Sequence, residues 1–229
     1  YGNLPCGMQL KSKDGTPLKK PARPSLVTDK VRFVGDPVAC VIAETPEKAK
    51  DAAEIVFVDI DPLASTTTAR EAAVHGAPNI YKDVQNNIAL DFHFGDHDAV
   101  NSAFKNAHHV SHLDIRNNRV VVASMEPRSA IAEYNSDTEC FTMRIGCQGA
   151  FGMRNQLASQ LNVERDKVRV LTGNVGGSFG MKSFVYPEYI CLLHAARKLG
   201  RPIKWTEERS GSFLSDQQGR DHEVKAELA

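Results

Sequence analysis

Nine residues, Asn174-Val175-Gly176-Gly177-Ser178-Phe179-Gly180-Met181-Lys182, constrain this chain more than any other part of its sequence. The run before them, Lys167-Val168-Arg169-Val170-Leu171, predicts a strand, and a helical pattern begins near Phe184. A glycine-rich turn between a strand and a helix brings bare backbone N–H groups close to a ligand, and the helix start favours an anion there. The stretch is not a P-loop. Counted from Gly176, the positions that need glycine and lysine hold Met181 and Lys182, so the glycine is missing. Nor does it follow the G-x-G-x-x-G dinucleotide pattern. By itself a Gly-Gly-x-x-Gly turn fits plain loop geometry better than it fits a ligand cradle.

Composition narrows the classes of partner. Lys plus Arg and Asp plus Glu balance at 28 each, so no global field favours nucleic acid or an anionic membrane. The apolar runs are too short to span a bilayer. The five cysteines, Cys6, Cys40, Cys140, Cys147 and Cys191, are scattered and contain no Cys-x-x-Cys. That spacing argues against a disulfide framework, a zinc site or an iron–sulfur cluster, and for reduced thiols in a cytoplasmic protein. Both ends look like cuts: Tyr1 is no initiator, and residues 224–229 stop within a strand-like run. A clipped or split product of a longer protein is therefore expected.

Residues 1–24 predict loop, with a turn at Lys13-Asp14-Gly15-Thr16-Pro17. The run 38–43 predicts a strand, Thr45-Pro46-Glu47 starts a helix with a cap and an N1 proline, and 56–60 predicts a second strand. A polar connector covers 63–87. Beyond it the pattern predicts a strand over 88–94, a helix over 96–107 and a strand over 109–115. Residues 130–134 and 140–145 flank the turn Asn135-Ser136-Asp137-Thr138 as a hairpin. Helices over 150–161 and from about 184 to 199 enclose the strand 167–171 and the glycine loop. The class is α+β, with no internal repeat.

The order Gly176-Gly177-Ser178-Phe179-Gly180-Met181-Lys182, Tyr186-Pro187-Glu188 and residues 200–209 (Gly-Arg-Pro-Ile-Lys-Trp-Thr-Glu-Glu-Arg) resembles the molybdenum hydroxylases. The nearest likeness is to the molybdopterin-binding large subunit of the xanthine dehydrogenase, aldehyde oxidase and carbon monoxide dehydrogenase family. Residues 29–39, Met125-Glu126-Pro127-Arg128 and Gln148-Gly149 agree with it in the same order. The resemblance implies the end of an α/β hammerhead domain followed by the first part of a molybdopterin-binding domain. The expected limits are a loop-rich segment over 1–24, hammerhead over 25–86 and pterin-binding part over 87–229.

It further implies a catalytic subunit that oxidises an aldehyde or N-heterocycle at a molybdopterin-bound molybdenum. Electrons leave through iron–sulfur clusters and usually FAD on partner subunits or domains. Carbon monoxide dehydrogenase-type chemistry is the enzyme alternative, and a non-catalytic scaffold or assembly module of the same fold is the third. Carried over by position, the cofactor contacts fall on Ser178, Phe179 and Gly180, with Gly176 and Gly177 making the turn and Gln148 as a further contact. Phe179 also fits a core anchor for the loop. Xanthine-oxidising members carry a glutamate where this chain has Ser183, so a purine is disfavoured as substrate. The family's catalytic base belongs to a later segment, so no catalytic residue is assigned here, and residues 1–229 alone are expected to be inactive.

The remaining candidates favour plainer roles. Glu126 fits a structural carboxylate bonded to backbone or to Arg128 better than a general base. Lys182 fits a solvated or paired lysine better than a phosphate ligand. On a strand, His108 and His112 share one face and His109 takes the other, which argues against a metal triad. Cys147 fits a buried strand thiol, and no metal ligands are assigned.

Overall fold

The computed structural model describes residues 1–229. The first half of the chain supplies helices α1 (Pro46–Glu54), α2 (Ala69–Ala72) and α3 (His97–Lys105), then strands β1 (Ser111–Asn117) and β2 (Val120–Val121). The second half runs β3 (Ser129–Asn135), β4 (Cys140–Ile145), α4 (Ala150–Leu161), β5 (Val168–Leu171) and α5 (Pro187–Leu199). It ends with β6 (Ile203–Thr206), α6 (Arg209–Ser215), β7 (Gln218–Gly219) and β8 (His222–Leu228). The α+β class holds.

Two compact units divide these elements. The first contains Tyr1–Cys6, Ala22–Leu63 and Val122–Gln217. Its centre is a sheet in the order β5-β4-β3-β6, in which β4 and β5 are parallel and the other neighbours antiparallel. Alternation places Ala130 and Ala132 of β3 and Phe141, Met143 and Ile145 of β4 on one buried face. Helices α4 and α5 cover that face with Met153, Leu157, Leu161, Ile190, Leu193 and Ala196. The β4–α4–β5 crossover is the connection that a parallel pair requires. The β3–β4 hairpin turns where Asn135 Oδ1 accepts from the N–H groups of Asp137 and Thr138.

The second unit contains Gly7–Pro21, Ala64–Val121 and Gln218–Ala229. It is built around the antiparallel β1–β8 pair, whose register sets Asp114 opposite Lys225 and Arg116 opposite Glu223. These are opposite charges on directly paired positions, which favours this register over its neighbours. The short β2–β7 pair adds two further residue pairs.

Several sequence expectations change. Residues 38–43, 56–60 and 88–94 form no strands, so the predicted strand–helix–strand unit reduces to α1 alone. Apolar composition supplies β propensity, but a strand also needs a continuous ladder of backbone bonds. Residues 88–94 receive only scattered ones, from Lys13 N–H to Asp91 O at 2.8 Å and Lys19 N–H to Ala89 O at 2.9 Å, and 38–43 and 56–60 pair with no strand. Many of their apolar side chains stay open to solvent, Phe57 and Phe94 at 88% and 91% exposure, while Ile42 packs against the core. The connector 63–87 carries the one-turn helix α2. Helix α5 starts at Pro187 rather than near 184, because a proline drives the residue before it, here Tyr186 at φ −100° and ψ 154°, out of the helical region. It stops where expected, at Gly200 in the left-handed region with φ 63°.

Beside the apolar core, the first unit is joined by an ionic one. The Arg128 side chain is fully buried. Its Nη1 and Nη2 donate as a fork to Glu188 at 3.0 and 3.1 Å, Nη2 also donates to Glu207 at 2.6 Å, and Nε donates to Asp216 at 2.5 Å. The guanidinium stacks 3.8 Å above the Tyr186 ring, with Trp205 also within cation–π range. One cation thus holds the start of β3, the first turn of α5, the end of β6 and the end of α6. Burial pushes the Glu207 carboxyl up to about 7, with Glu188 and Asp216 adding to the effect and Arg128 opposing it. Three carboxylates around one guanidinium keep a proton that a solvated glutamate would release.

Replacing Arg128 with alanine leaves those carboxylates buried without their cation and is expected to cost about 3–5 kcal/mol in denaturant unfolding. The raised Glu207 pKa means the folded chain binds more protons than the unfolded one between the ordinary value of 4.5 and about 7. Its contribution to stability is therefore complete below that window and declines as pH rises through it. Glu207→Gln should flatten the decline between pH values near 5 and 7.5; an unchanged slope would place the proton elsewhere.

Candidate functional site

The glycine loop leaves β5 and enters α5 through a single 3-10 turn at Met181–Ser183. What holds it is a clamp that the sequence did not reveal. Glu126 N–H donates to the Gly176 carbonyl at 3.0 Å, and Gly176 N–H donates to Glu126 Oε2 at 2.9 Å. The approach is so close that a Cβ on Gly176 would lie 2.6 Å from Glu126 Cβ. Lys182 closes the clamp from inside: its ammonium donates to Glu126 Oε2 at 2.7 Å and to Glu126 O at 2.9 Å. Its side chain is 1% exposed, so these two acceptors replace the water it has lost. Lys182 is paired and buried, not solvated, and Glu126 is structural, as expected. Its partner is Lys182 and not the neighbouring Arg128.

Beyond the clamp the loop projects outward. Gly177, Phe179 and Gly180 have φ of 98°, 50° and 95°, a run of left-handed conformations in which glycine is at ease and phenylalanine is not. The Phe179 ring is 80% exposed. Within this chain Phe179 anchors no core. The N–H groups of Phe179 and Gly180 find no acceptor within the chain, whereas that of Met181 bonds to Ser178 O at 3.0 Å. Space around the Cβ position of Gly180 is open to 4 Å. Consecutive free donors at an exposed turn make a concavity suited to an anionic or oxygen-rich ligand. The residues present therefore fit a pterin-type cofactor held by backbone amides.

Gln148, just past β4, reaches the same place. Its N–H donates to Lys182 O at 3.2 Å, and its Oε1 accepts from Ser178 Oγ at 2.6 Å and from Ser183 Oγ at 2.9 Å. The structure thus gathers Gly176, Gly177, Ser178, Phe179, Gly180 and Gln148, which the sequence identified from two separate segments. The Ser178 hydroxyl is turned inward to Gln148 and to Lys182 N–H, which it accepts at 2.9 Å, and so is engaged within the loop. Ser183 carries a role that the sequence reading missed, having considered only the carboxylate it lacks.

The other candidates lie outside this arrangement. Cys147 is buried behind Gln148, at 6% exposure. His112 pairs with Glu227 across β1 and β8 at 2.9 Å. No group of three or more His, Cys, Asp or Glu side chains is placed to hold a metal ion. All five cysteines are free thiols. No helix is long and apolar enough to cross a membrane.

The loop lies within a segment that matches a known family. Residues 80–229 match the family profile described as "Molybdopterin cofactor-binding domain". The chain belongs to the molybdenum hydroxylase family. Residues 8–64 also match "Aldehyde oxidase and xanthine dehydrogenase, a/b hammerhead domain". Among relatives, the gamma subunit of the 6-hydroxypseudooxynicotine dehydrogenase complex of Paenarthrobacter nicotinovorans is 36% identical over 91% of this chain and 26% of its own length. Reconstituted CO dehydrogenase from Oligotropha carboxidovorans superposes with a TM-score of 0.85 at 27% identity, over 91% of this chain and 28% of that one. Quinoline 2-oxidoreductase from Pseudomonas putida 86 gives 0.81 at 27% identity, over 91% of this chain and 26% of that one. The chain thus spans about a quarter of the relatives that it matches.

The clamp has measurable consequences. The Lys182 hydrogen bond holds the Glu126 carboxyl below its ordinary value, with the Gly176 N–H acting in the same direction and partial burial opposing both. A lowered folded-state pKa contributes stability above the ordinary value of 4.5 that is lost as pH falls through the folded value. Glu126→Gln should remove that acid-side loss in melts recorded between pH values near 3 and 6. Gly176→Ala, which forces a methyl group against Glu126, should cost about 1–3 kcal/mol in the same assay; a neutral result would mean the loop does not dock as described.

Proposed function

We propose that this chain is part of the catalytic large subunit of a molybdenum-dependent hydroxylase. In this reading residues 176–180 and Gln148 form one wall of the molybdopterin site. The observation that carries it is the outward row of free amides at Phe179 and Gly180, held at positive φ by the Glu126–Lys182 clamp. Gly180 leaves room for the cofactor to approach, and Phe179 presents an exposed ring to the substrate side. Bound there, the cofactor supplies the oxidation–reduction chemistry of hydroxylation, and the chain supplies positioning. Residues 25–86 belong to the hammerhead part and 87–229 to the pterin-binding part.

The proposed substrate is an aldehyde or an N-heterocycle. Ser183 offers a short hydroxyl where a purine-binding glutamate would stand, and it is already bonded to Gln148. Chemistry of the carbon monoxide dehydrogenase type is the second reading, favoured by the likeness to CO dehydrogenase over 91% of this chain. In both, electrons pass to iron–sulfur clusters and usually FAD on partner subunits or domains, and the assembly is cytoplasmic. The remainder of the large subunit is the chain's first partner, and the exposed Ile55, Val56, Phe57, Val58 and Ile60 of this chain suit such cover.

The test uses the large subunit that carries this sequence, loaded with its cofactor. Gly180→Val places a branched side chain at φ 95° in front of the amides and should abolish molybdenum retention. Phe179→Ala should leave molybdenum content nearly intact while lowering kcat/KM roughly tenfold or more through a looser substrate wall. Full metal content and activity in both folded variants would reduce the loop to a plain turn and overturn the assignment.

A further inference from the structure

Two hydroxyls converge on one atom beside the free amides. Ser178 Oγ and Ser183 Oγ lie 2.6 and 2.9 Å from Gln148 Oε1. A separation of 2.6 Å belongs to an O–H···O bond and is too short for a typical N–H···O bond, which fixes the end of the amide that faces the serines. Ser178 Oγ also accepts from Lys182 N–H at 2.9 Å, which turns its own hydrogen toward Gln148. An amide oxygen has two lone pairs, and here both are taken. The NH2 end of Gln148 must then face away from the serines, and it makes no hydrogen bond within the chain. Gln148 is exposed, so this end opens outward.

We propose that Ser183, with Ser178, is a positioning residue that locks the Gln148 side chain as a hydrogen-bond donor toward an oxygen atom of the bound cofactor. The inference rests on the cofactor-wall reading and extends it. A free glutamine side chain can turn either end toward a ligand, and half of its orientations would set an oxygen against an oxygen. Locking removes that repulsive alternative and the rotamer entropy of a long side chain before the cofactor arrives. Of the two serines, Ser183 gives the cleaner test, since Ser178 also bonds the backbone of the loop.

The experiment measures molybdenum retained during dialysis of the cofactor-loaded large subunit, in a double-mutant cycle. Ser183→Ala should speed molybdenum loss by about 2- to 10-fold, the range expected for one net hydrogen bond. Ser183→Thr, which keeps the hydroxyl, should restore retention. In a Gln148→Met background, which has no amide to orient, Ser183→Ala should have no further effect. An equal loss from Ser183→Ala in both backgrounds would show that the serine acts on the loop itself and would overturn the proposal. So would wild-type retention in Ser183→Ala or in Gln148→Met. If Gly180→Val loses its metal while Ser183→Ala is silent, the lock fails and the cofactor wall stands; if Gly180→Val keeps its metal, both fall.

Discussion

The buried guanidinium of Arg128 is the interaction on which the rest of the first unit depends. It gathers Glu188, Glu207 and Asp216 from three elements that are distant in sequence and stacks on Tyr186. A cation in that position is favourable only while every partner is present, so the cluster specifies one arrangement of β3, α5, β6 and α6 more sharply than apolar packing alone would. Arg128 is two residues from Glu126. Fixing the guanidinium therefore fixes the start of the clamp as well, and Arg209 adds to this by donating to Ser124 O at 2.6 Å.

From Glu126 the constraint passes to the loop. A turn with several left-handed residues would relax if left to itself, since a phenylalanine at φ 50° is strained. The carboxylate of Glu126 and the buried ammonium of Lys182 bind both sides of the turn and offset that strain. The outcome is a rigid base and an exposed tip. Support comes from charged bonds anchored on the buried Lys182, and exposure comes from amides that secondary structure does not use. Preformed donors cost little further ordering when a ligand arrives, which suits the cofactor-positioning part proposed for this loop.

Much of this was legible beforehand. Strand β5, helices α4 and α5, the β3–β4 hairpin and the Gly200 stop followed from periodicity, turn residues and caps, because each depends on neighbours within a few positions. The strands expected over 38–43, 56–60 and 88–94 did not form, because a ladder depends on a neighbour that periodicity cannot supply. The loop and Gln148 were identifiable from the order of their motifs. Their hydrogen bonds were not, since residues 148, 178 and 183 meet only after β4 and β5 have paired.

The sequence by itself determined the family, the α+β class, the glycine turn and the residues that reach it, because these are encoded in local spacing and in residue types with narrow backbone preferences. Only the tertiary structure decided that Lys182 is a buried partner of Glu126, that Phe179 points to solvent, and that two serines set which end of Gln148 faces outward. Charges and hydroxyls accept many partners in a linear chain, and burial selects one. The choice is made by the loss of water around Arg128 and Lys182, which leaves each buried donor dependent on the acceptor that the fold brings within hydrogen-bonding distance.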